Sequence, residues 1–135
     1  MQNIITKESM RSLAPAVVRV GVAVVFIWFG YQQVINAAPW TILVPSWLPS
    51  LSGIDAINFI YFNAFFEIIF GLCLFLGLFT RVVGFFLALH MMQITYLVGY
   101  NDVGVRDFGL SLATIGVFLY GVSDWSLDRL LAKRQ

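Results

Sequence analysis

Four apolar stretches, each close to the length that crosses a lipid bilayer, occupy most of this 135-residue chain. They cover approximately residues 15–36, 57–79, 82–100 and 108–122. A transmembrane helix needs about 20 mostly apolar residues to cross a hydrocarbon core about 30 Å thick. The first three stretches meet that length, and the last is slightly shorter. The sequence therefore predicts an all-α membrane protein, a single domain built as a four-transmembrane-helix bundle.

The composition agrees with a surface that faces acyl chains. Hydrophobic residues make up 60% of the chain and charged residues 11%, whereas a soluble domain carries about 25% charged residues. The formal net charge of +1 gives no indication of a nucleic-acid partner, so membrane lipid is the expected surroundings. Cys73 is the single cysteine, which excludes dithiol–disulfide chemistry by the chain alone.

The basic residues are distributed unequally between the two ends of the predicted bundle. The chain has eight of them, and only Arg106 falls between the third and fourth spans. The others lie on the side of the chain termini: Lys7, Arg11, Arg19, Arg81, Arg129, Lys133 and Arg134. Basic residues near spans favour the cytoplasmic side. The sequence therefore predicts that both termini are cytoplasmic (N-in/C-in).

The connections between the spans differ in length and polarity. Residues 37–55 hold Trp40, Trp47 and several prolines, so this loop is predicted to lie flat on the outer face. Two interpretations of it stay open, a cap over the bundle or an interfacial anchor. Residues 77–81 are predicted to form an inner turn and residues 101–107 a polar outer turn. Residues 124–131 indicate a short interfacial C-terminal helix with Ser123 or Asp124 as its cap.

Small residues in the fourth span recur at helical spacing. Gly109, Ala113 and Gly116 fall on one face, and small residues allow helices to approach closely in lipid. We expect this face to pack against a neighbouring helix.

The polar residues inside the spans also fall on one face of each predicted helix, with Asn63, Glu67 and Arg81 assigned to the second. At about 1.5 Å per residue, Glu67 and His90 both lie near the bilayer midplane. We therefore expect them to meet, with Gln93 and Thr114 sharing their network. A second, outer cluster is predicted from four residues: Gln33, Asn63, Arg106 and Asp107. Arg19 and Arg81 lie at the inner boundary, where they can snorkel.

Other interpretations of these residues stay open. Glu67 can be a protonated structural link between helices, His90 can be a hydrogen-bonded core histidine, and Arg106–Asp107 can be an exposed loop pair. Glu67 is assigned a function because ionisable residues within membranes usually have one. His90 is the only histidine, so the sequence predicts neither an intrachain haem nor a metal site.

Four motifs together resemble the DoxX family of small four-helix membrane proteins. The first is Arg19 followed by Trp28-Phe29-Gly30, and the second is Glu67 followed by Gly77-Leu78-Phe79-Thr80-Arg81. The third is Arg106-Asp107, and the fourth is Gly121 followed by Trp125-Ser126-Leu127-Asp128-Arg129. The chain departs from many members in having Tyr31-Gln32-Gln33 where they carry a lysine.

Members of that family resemble the membrane subunit of thiosulfate:quinone oxidoreductase. The resemblance implies a subunit of a bacterial or archaeal inner membrane that binds a quinone headgroup in its polar core. Glu67 and His90 would then be the catalytic pair, with Gln33, Asn63, Gln93, Arg106 and Asp107 holding the quinone. No cofactor motif is present, so electrons are expected from another redox subunit and the chain alone is expected to be inert. A membrane scaffold or assembly factor, a small transporter and a homo-oligomer stay open as alternatives.

Overall fold

The computed structural model describes residues 2–133, with the side chains of residues 10–133, and every regular element in that range is helical. Helix α1 covers Gln2–Ile35, a 3-10 helix covers Ala38–Leu43, and α2 covers Trp47–Ser52. Three long helices follow, α3 at Ala56–Leu76, α4 at Thr80–Val98 and α5 at Asp102–Tyr120. The short α6 covers Leu127–Ala132. The Lys7 side chain and Arg134 lie outside the described residues.

Four of these helices are long and apolar enough to cross a membrane: Met10–Ile35 within α1, and the whole of α3, α4 and α5. The prediction of four spans is therefore confirmed. The third and fourth spanning helices begin earlier than predicted, at Thr80 and Asp102 rather than at residues 82 and 108, because each helix begins before its apolar stretch does. Arg81, which was assigned to the polar face of the second span, belongs instead to α4.

The predicted polar turn at residues 101–107 is wrong beyond its first residue. Helix α5 begins at Asp102, and the Asn101 side chain accepts a hydrogen bond from the Gly104 backbone N–H at 3.0 Å. Asparagine is a strong helix N-cap, and Asp102 in the first turn complements the positive end of the helix dipole. Hydropathy alone excludes this charged first turn from a span, which is why the prediction placed the start at residue 108.

The four spanning helices form two hairpins. We name them the first hairpin, α1 packed against α3, and the second hairpin, α4 packed against α5. Contacts between the hairpins, through α1–α5 and α3–α4, are less extensive. Glycines allow the close approach within each hairpin. A Cβ added at Gly30 would lie 2.8 Å from the Ala64 carbonyl oxygen, and one added at Gly84 would lie 3.2 Å from the Phe118 backbone.

The predicted packing face on α5 is used only in part within the described chain. Ala113 packs against the core, but a Cβ added at Gly109 or Gly116 would have no other atom within 4 Å, and both glycines are exposed. The prediction was wrong for the two glycines because small residues permit close approach without specifying which helix face is covered. The buried core lies on the other faces of the helices and consists of Val22, Ala23, Phe26, Leu74, Val83, Leu87, Met91 and Val117.

The end of the bundle that carries α6, the α3–α4 turn and the N-terminal part of α1 is named the basic end. Arg19 is buried there, only 3% exposed. Its guanidinium donates hydrogen bonds to the backbone carbonyls of Leu74 at 2.7 Å, Phe75 at 2.9 Å and Trp125 at 2.6 Å. The prediction that Arg19 snorkels is therefore wrong, because carbonyls in the last turn of α3 still have acceptor capacity and bind the guanidinium instead.

The C-terminal segment completes the basic end. The Asp128 carboxylate accepts hydrogen bonds from the backbone N–H groups of Phe79 at 2.8 Å and Thr80 at 2.9 Å, which caps the start of α4. Helix α6 itself begins after Ser126, whose hydroxyl oxygen accepts from the Arg129 backbone N–H at 3.4 Å. The predicted short C-terminal helix is therefore present, but its cap is Ser126 rather than Ser123 or Asp124.

Candidate functional site

A hydrogen-bonded network joins three of the four spanning helices inside the bundle. Glu67 on α3 is only 2% exposed, and its Oε1 atom lies 2.9 Å from Nε2 of His90 on α4. The amide of Gln33 on α1 donates to Glu67 Oε2 at 2.9 Å. The amide of Asn63 donates to Glu67 Oε1 at 3.1 Å and to Gln33 Oε1 at 2.8 Å. The carboxylate is thus surrounded by groups that can replace water around it.

Sequence position explains why these four side chains converge. Asn63 and Glu67 are four residues apart on α3, so their side chains lie on one helix face. Gly30 lies one turn before Gln33 and allows α1 to approach α3 closely, as described above. The His90 imidazole is held by the rings of Phe66 and Phe26, with centroids at 5.0 Å and 6.4 Å. The network is therefore positioned by tight packing in the first hairpin and by aromatic contacts to the second.

This arrangement differs from the two clusters that the sequence predicted. Glu67 and His90 do meet, but Gln33 and Asn63 bind Glu67 directly instead of forming an outer cluster with Arg106 and Asp107. The prediction placed Gln33 and Asn63 by the depth of their backbone positions. Their side chains also extend along the helix axis, which brings both amides to Glu67. Thr114 stays outside the network, since its hydroxyl donates to the Leu110 carbonyl of its own helix at 2.7 Å.

A cavity of about 340 Å³ lies above the network, at the end of the bundle opposite the basic end. We name this end the cavity end. Most of the cavity wall is apolar, and its polar residues are the seven that the sequence selected: Gln33, Asn63, Glu67, His90, Gln93, Arg106 and Asp107. Of these, Gln93 is exposed and contributes no hydrogen bond to the network. The roles assigned to these residues stay predictions.

Arg106 and Asp107 form a separate polar pair on the α5 side of the cavity. The buried Asp107 carboxylate accepts from Arg106 Nε at 2.9 Å and pairs with Arg106 Nη2 at 2.8 Å. The guanidinium also lies over the Phe29 ring, 5.7 Å from its centroid. Because both residues are in the second turn of α5, the loop-pair interpretation is wrong. The pair lines the same cavity as Gln33 and Asn63, the other members of the predicted outer cluster, without a hydrogen bond to either of them.

The connection between α1 and α3 covers the cavity. Its 3-10 helix and the residues after it contribute five side chains to the wall: Trp40, Leu43, Val44, Pro45 and Leu48. Trp40 packs edge-to-face on Phe29, with the ring centroids 5.8 Å apart. Of the two interpretations of this loop, the structure supports the cap. The clustered Trp and Pro residues were the available signal, but they did not identify which of them reach the cavity.

A second cavity of about 350 Å³ lies between α3 and α4 and faces outward from the bundle. It shares four wall residues with the first cavity: Phe59, Asn63, His90 and Gln93. Its remaining wall is apolar and includes the exposed Phe62, Phe86 and Leu89. The polar network is therefore approached both from the cavity end and sideways, from the surface that lipid covers.

Four spanning helices around a partly polar internal cavity define a small helical-bundle integral membrane protein. The DoxX family model matches residues 14–100. Because that range is more than half of the chain, the protein belongs to the DoxX family of small integral membrane proteins. The matched range includes the Glu67–His90 network but ends before α5, so it does not include Arg106–Asp107. No curated protein and no solved structure matches the chain.

Proposed function

We propose that this protein is the membrane subunit of a quinone-linked oxidoreductase and that it binds a quinone headgroup in the cavity above Glu67 and His90. One observation carries the proposal: a carboxylate and an imidazole 2.9 Å apart lie at the base of a mostly apolar cavity, and the imidazole also lines a second cavity that faces outward. An acid and an imidazole in contact can pass a proton to or from a bound ligand. A ligand dissolved in the bilayer would reach them without leaving it.

The size and shape of the two cavities suit a ligand that has a ring-shaped headgroup and a hydrocarbon tail. The first cavity, about 340 Å³, is at the small end of the range of ligand pockets, about 300–1,000 Å³. It fits one headgroup rather than a whole lipid. The outward-facing cavity between α3 and α4 supplies an apolar surface, including Phe62 and Leu89, along which a hydrocarbon tail would extend.

A bound quinone would supply a couple that takes up two electrons and two protons to form the quinol. The protein residues would handle the protons, with His90 Nε2 and Glu67 Oε1 as the exchanging atoms. Gln33 and Asn63 would hold the carboxylate oriented through each protonation change. The chain carries no motif for an electron-carrying cofactor, so the electrons come from a separate redox subunit in this proposal.

Binding can be tested with purified protein in lipid nanodiscs, using decyl-ubiquinone and a short-chain menaquinone as probes. Trp40 lines the cavity, so a bound quinone is expected to quench tryptophan fluorescence saturably. Glu67→Gln keeps the side-chain shape but replaces one acceptor oxygen with an NH2 group, which cannot accept the hydrogen bonds that the carboxyl oxygens accept. A buried donor left without its acceptor costs about 1–3 kcal/mol, so affinity should fall about tenfold or more.

The matched control is Asp55→Asn, which makes the same chemical change at an exposed residue outside the cavity. Quenching that does not saturate, or equal affinities for the Glu67→Gln and Asp55→Asn proteins, would overturn the proposal.

The scaffold alternative is distinguished by turnover. Tagged protein isolated from native membranes in mild detergent should retain its redox subunit in both the wild type and Glu67→Gln, as identified by mass spectrometry. Quinone reduction by that complex should be lost in Glu67→Gln if the carboxylate handles protons. Full turnover in the variant would contradict the proton role and leave a scaffold. An open transport path is not favoured, because the apolar core separates the network from the basic end.

We also propose that the basic end faces the cytoplasm of a bacterial or archaeal cell and that the cavity end faces outward. Arg19, Arg81 and Arg129 lie at the basic end, whereas Arg106 is the basic residue at the cavity end. This bias agrees with the positive-inside rule.

A further inference from the structure

We propose that a groove between α1 and α5 at the basic end binds one anionic phospholipid, with its phosphate at the arginines and an acyl chain beside Gly116 of α5. This site is at the opposite end of the bundle from the quinone cavity and does not depend on that function. It rests on the groove, on the two arginines in its wall and on its position in a membrane-spanning segment.

The groove has a volume of about 420 Å³. Helix α1 contributes Arg11, Val18 and Arg19 to its wall, and α5 contributes Gly116 and Tyr120. It exists because α1 and α5 contact each other less extensively than the helices within each hairpin. The absence of a side chain at Gly116 keeps the groove open, since a Cβ there would meet no atom within 4 Å.

Two arginines, Arg11 and Arg19, line the groove. Arg11 is exposed and forms no ion pair or hydrogen bond with any residue in the described part of the chain. Arg19 uses both of its terminal nitrogens on carbonyls, but its buried Nε–H has no acceptor. Arg81 also lies close, because a Cβ added at Gly121 of the groove wall would contact its Nε atom.

Two acids with described side chains lie at this end. Asp124 is paired with Arg129, and Asp128 accepts the backbone N–H groups at the start of α4 while its charge also acts on Arg19. The C-terminus of α5 contributes a partial charge of only about −0.5. The two guanidinium groups that line the groove, with Arg81 nearby, outweigh this partial charge and Asp128 together, so the groove attracts an anion.

The surroundings favour a lipid over a soluble anion. The groove lies on Met10–Ile35 of α1 and on the last turns of α5, both membrane-spanning segments. Apart from its two arginines, the wall of the groove is apolar or small and includes Val18, Gly116 and Val117. A basic pocket between spanning helices above an apolar groove matches a phospholipid, whose phosphate and acyl chain are joined.

The test uses native mass spectrometry of the purified full chain, released from nanodiscs that contain phosphatidylglycerol and phosphatidylcholine in equal amounts. One phosphatidylglycerol per chain should be retained in preference to phosphatidylcholine. Arg11→Gln should weaken that retention about fivefold, since one basic side chain near a membrane surface contributes about 1 kcal/mol. The control Lys133→Gln removes an exposed charge at the same end but outside the groove and should have little effect.

A second pair of variants tests the acyl-chain path. Gly116→Leu fills the groove and should reduce retention of the lipid, whereas Gly109→Leu on the same helix lies outside the groove and should not. Both glycines have open space around them, so neither variant should disturb the fold. Equal retention of the two lipids, equal effects of Arg11→Gln and Lys133→Gln, or equal effects of the two leucine variants would overturn the proposal.

Discussion

At the scale of single residues, Arg19 illustrates how one buried charge can organise a membrane protein. Its guanidinium binds two carbonyls at the end of α3 and one in the segment before α6. The Leu74 carbonyl also accepts from the Gly77 backbone N–H at 3.1 Å, whereas the Phe75 carbonyl is in the last turn, where no N–H one turn further on can reach it. Since an unpaired carbonyl in lipid is costly, the arginine stabilises the end of α3 and holds the C-terminal segment against it.

Replacement of this side chain should therefore destabilise the fold. Arg19→Met keeps much of the volume but loses all the hydrogen bonds, and the free energy of unfolding should fall by about 2–4 kcal/mol. The free energy of unfolding of the Arg19→Lys protein should lie between those of Arg19→Met and the wild type. An ammonium group can still donate hydrogen bonds, but it lacks the planar, forked geometry of a guanidinium. Thermal unfolding in detergent measures the difference. The control is Arg81→Met, an exposed arginine at the same end, and equal melting temperatures for the two methionine variants would contradict the assignment.

The residues of the network show what the sequence does and does not determine. Glu67 and His90 could be predicted to meet, because depth along a helix and helical phase follow directly from position. The partners of Glu67 were assigned incorrectly, since phase gives the direction of Gln33 and Asn63 but not the rotamer that sends each amide toward the carboxylate. Arg19 was also mispredicted, because a long side chain at a membrane boundary can reach water or a carbonyl. Which of the two it reaches depends on whether a neighbouring helix ends beside it.

At the scale of elements, the cap over the cavity is held by few contacts. Residues 38–52 form two short helices, neither of which contains a buried residue. Trp40 packs on Phe29 and lines the cavity, whereas Trp47 is 60% exposed and does not. The cap therefore depends on Trp40 more than on its other tryptophan.

This difference predicts distinct effects of two similar substitutions. An aromatic pair contributes about 0.5–1.5 kcal/mol, so Trp40→Ala should raise amide hydrogen exchange across residues 38–52 by about two- to tenfold. Trp47→Ala should leave exchange there close to wild type. Hydrogen exchange of the two variants in the same detergent tests the prediction without a ligand. A larger effect from Trp47→Ala would show that the cap is held at the membrane interface instead.

The helix boundaries show a second limit of the sequence. The apolar stretches identified all four spans, but α5 begins six residues before its stretch because Asn101 caps a charged first turn. The glycine stripe of α5 was assigned to packing, whereas the close approaches occur at Gly30 and Gly84. Both errors have one cause. Local sequence indicates what a helix tolerates, and the identity of its neighbours depends on the whole bundle.

At the scale of the whole molecule, the proposed orientation can be measured directly. In a Cys73→Ala background, Ser50→Cys places one thiol on the exposed cap, and Lys133→Cys places one at the basic end. A membrane-impermeant maleimide added to intact spheroplasts should label the Ser50→Cys protein alone. Lysis should make the Lys133→Cys protein reactive too. Labelling of the Lys133→Cys protein before lysis would reverse the orientation.

The division of the bundle into two hairpins has a consequence for how such a protein can diversify. Helices pack tightly within each hairpin, whereas the cavity and the groove both lie at the junctions between hairpins. Side chains on these junctions can change size or charge while the Gly30 and Gly84 contacts stay intact. The two hairpins thus form a constant framework. The residues that line the cavity can change in evolution without a loss of the stability that the packing within each hairpin provides.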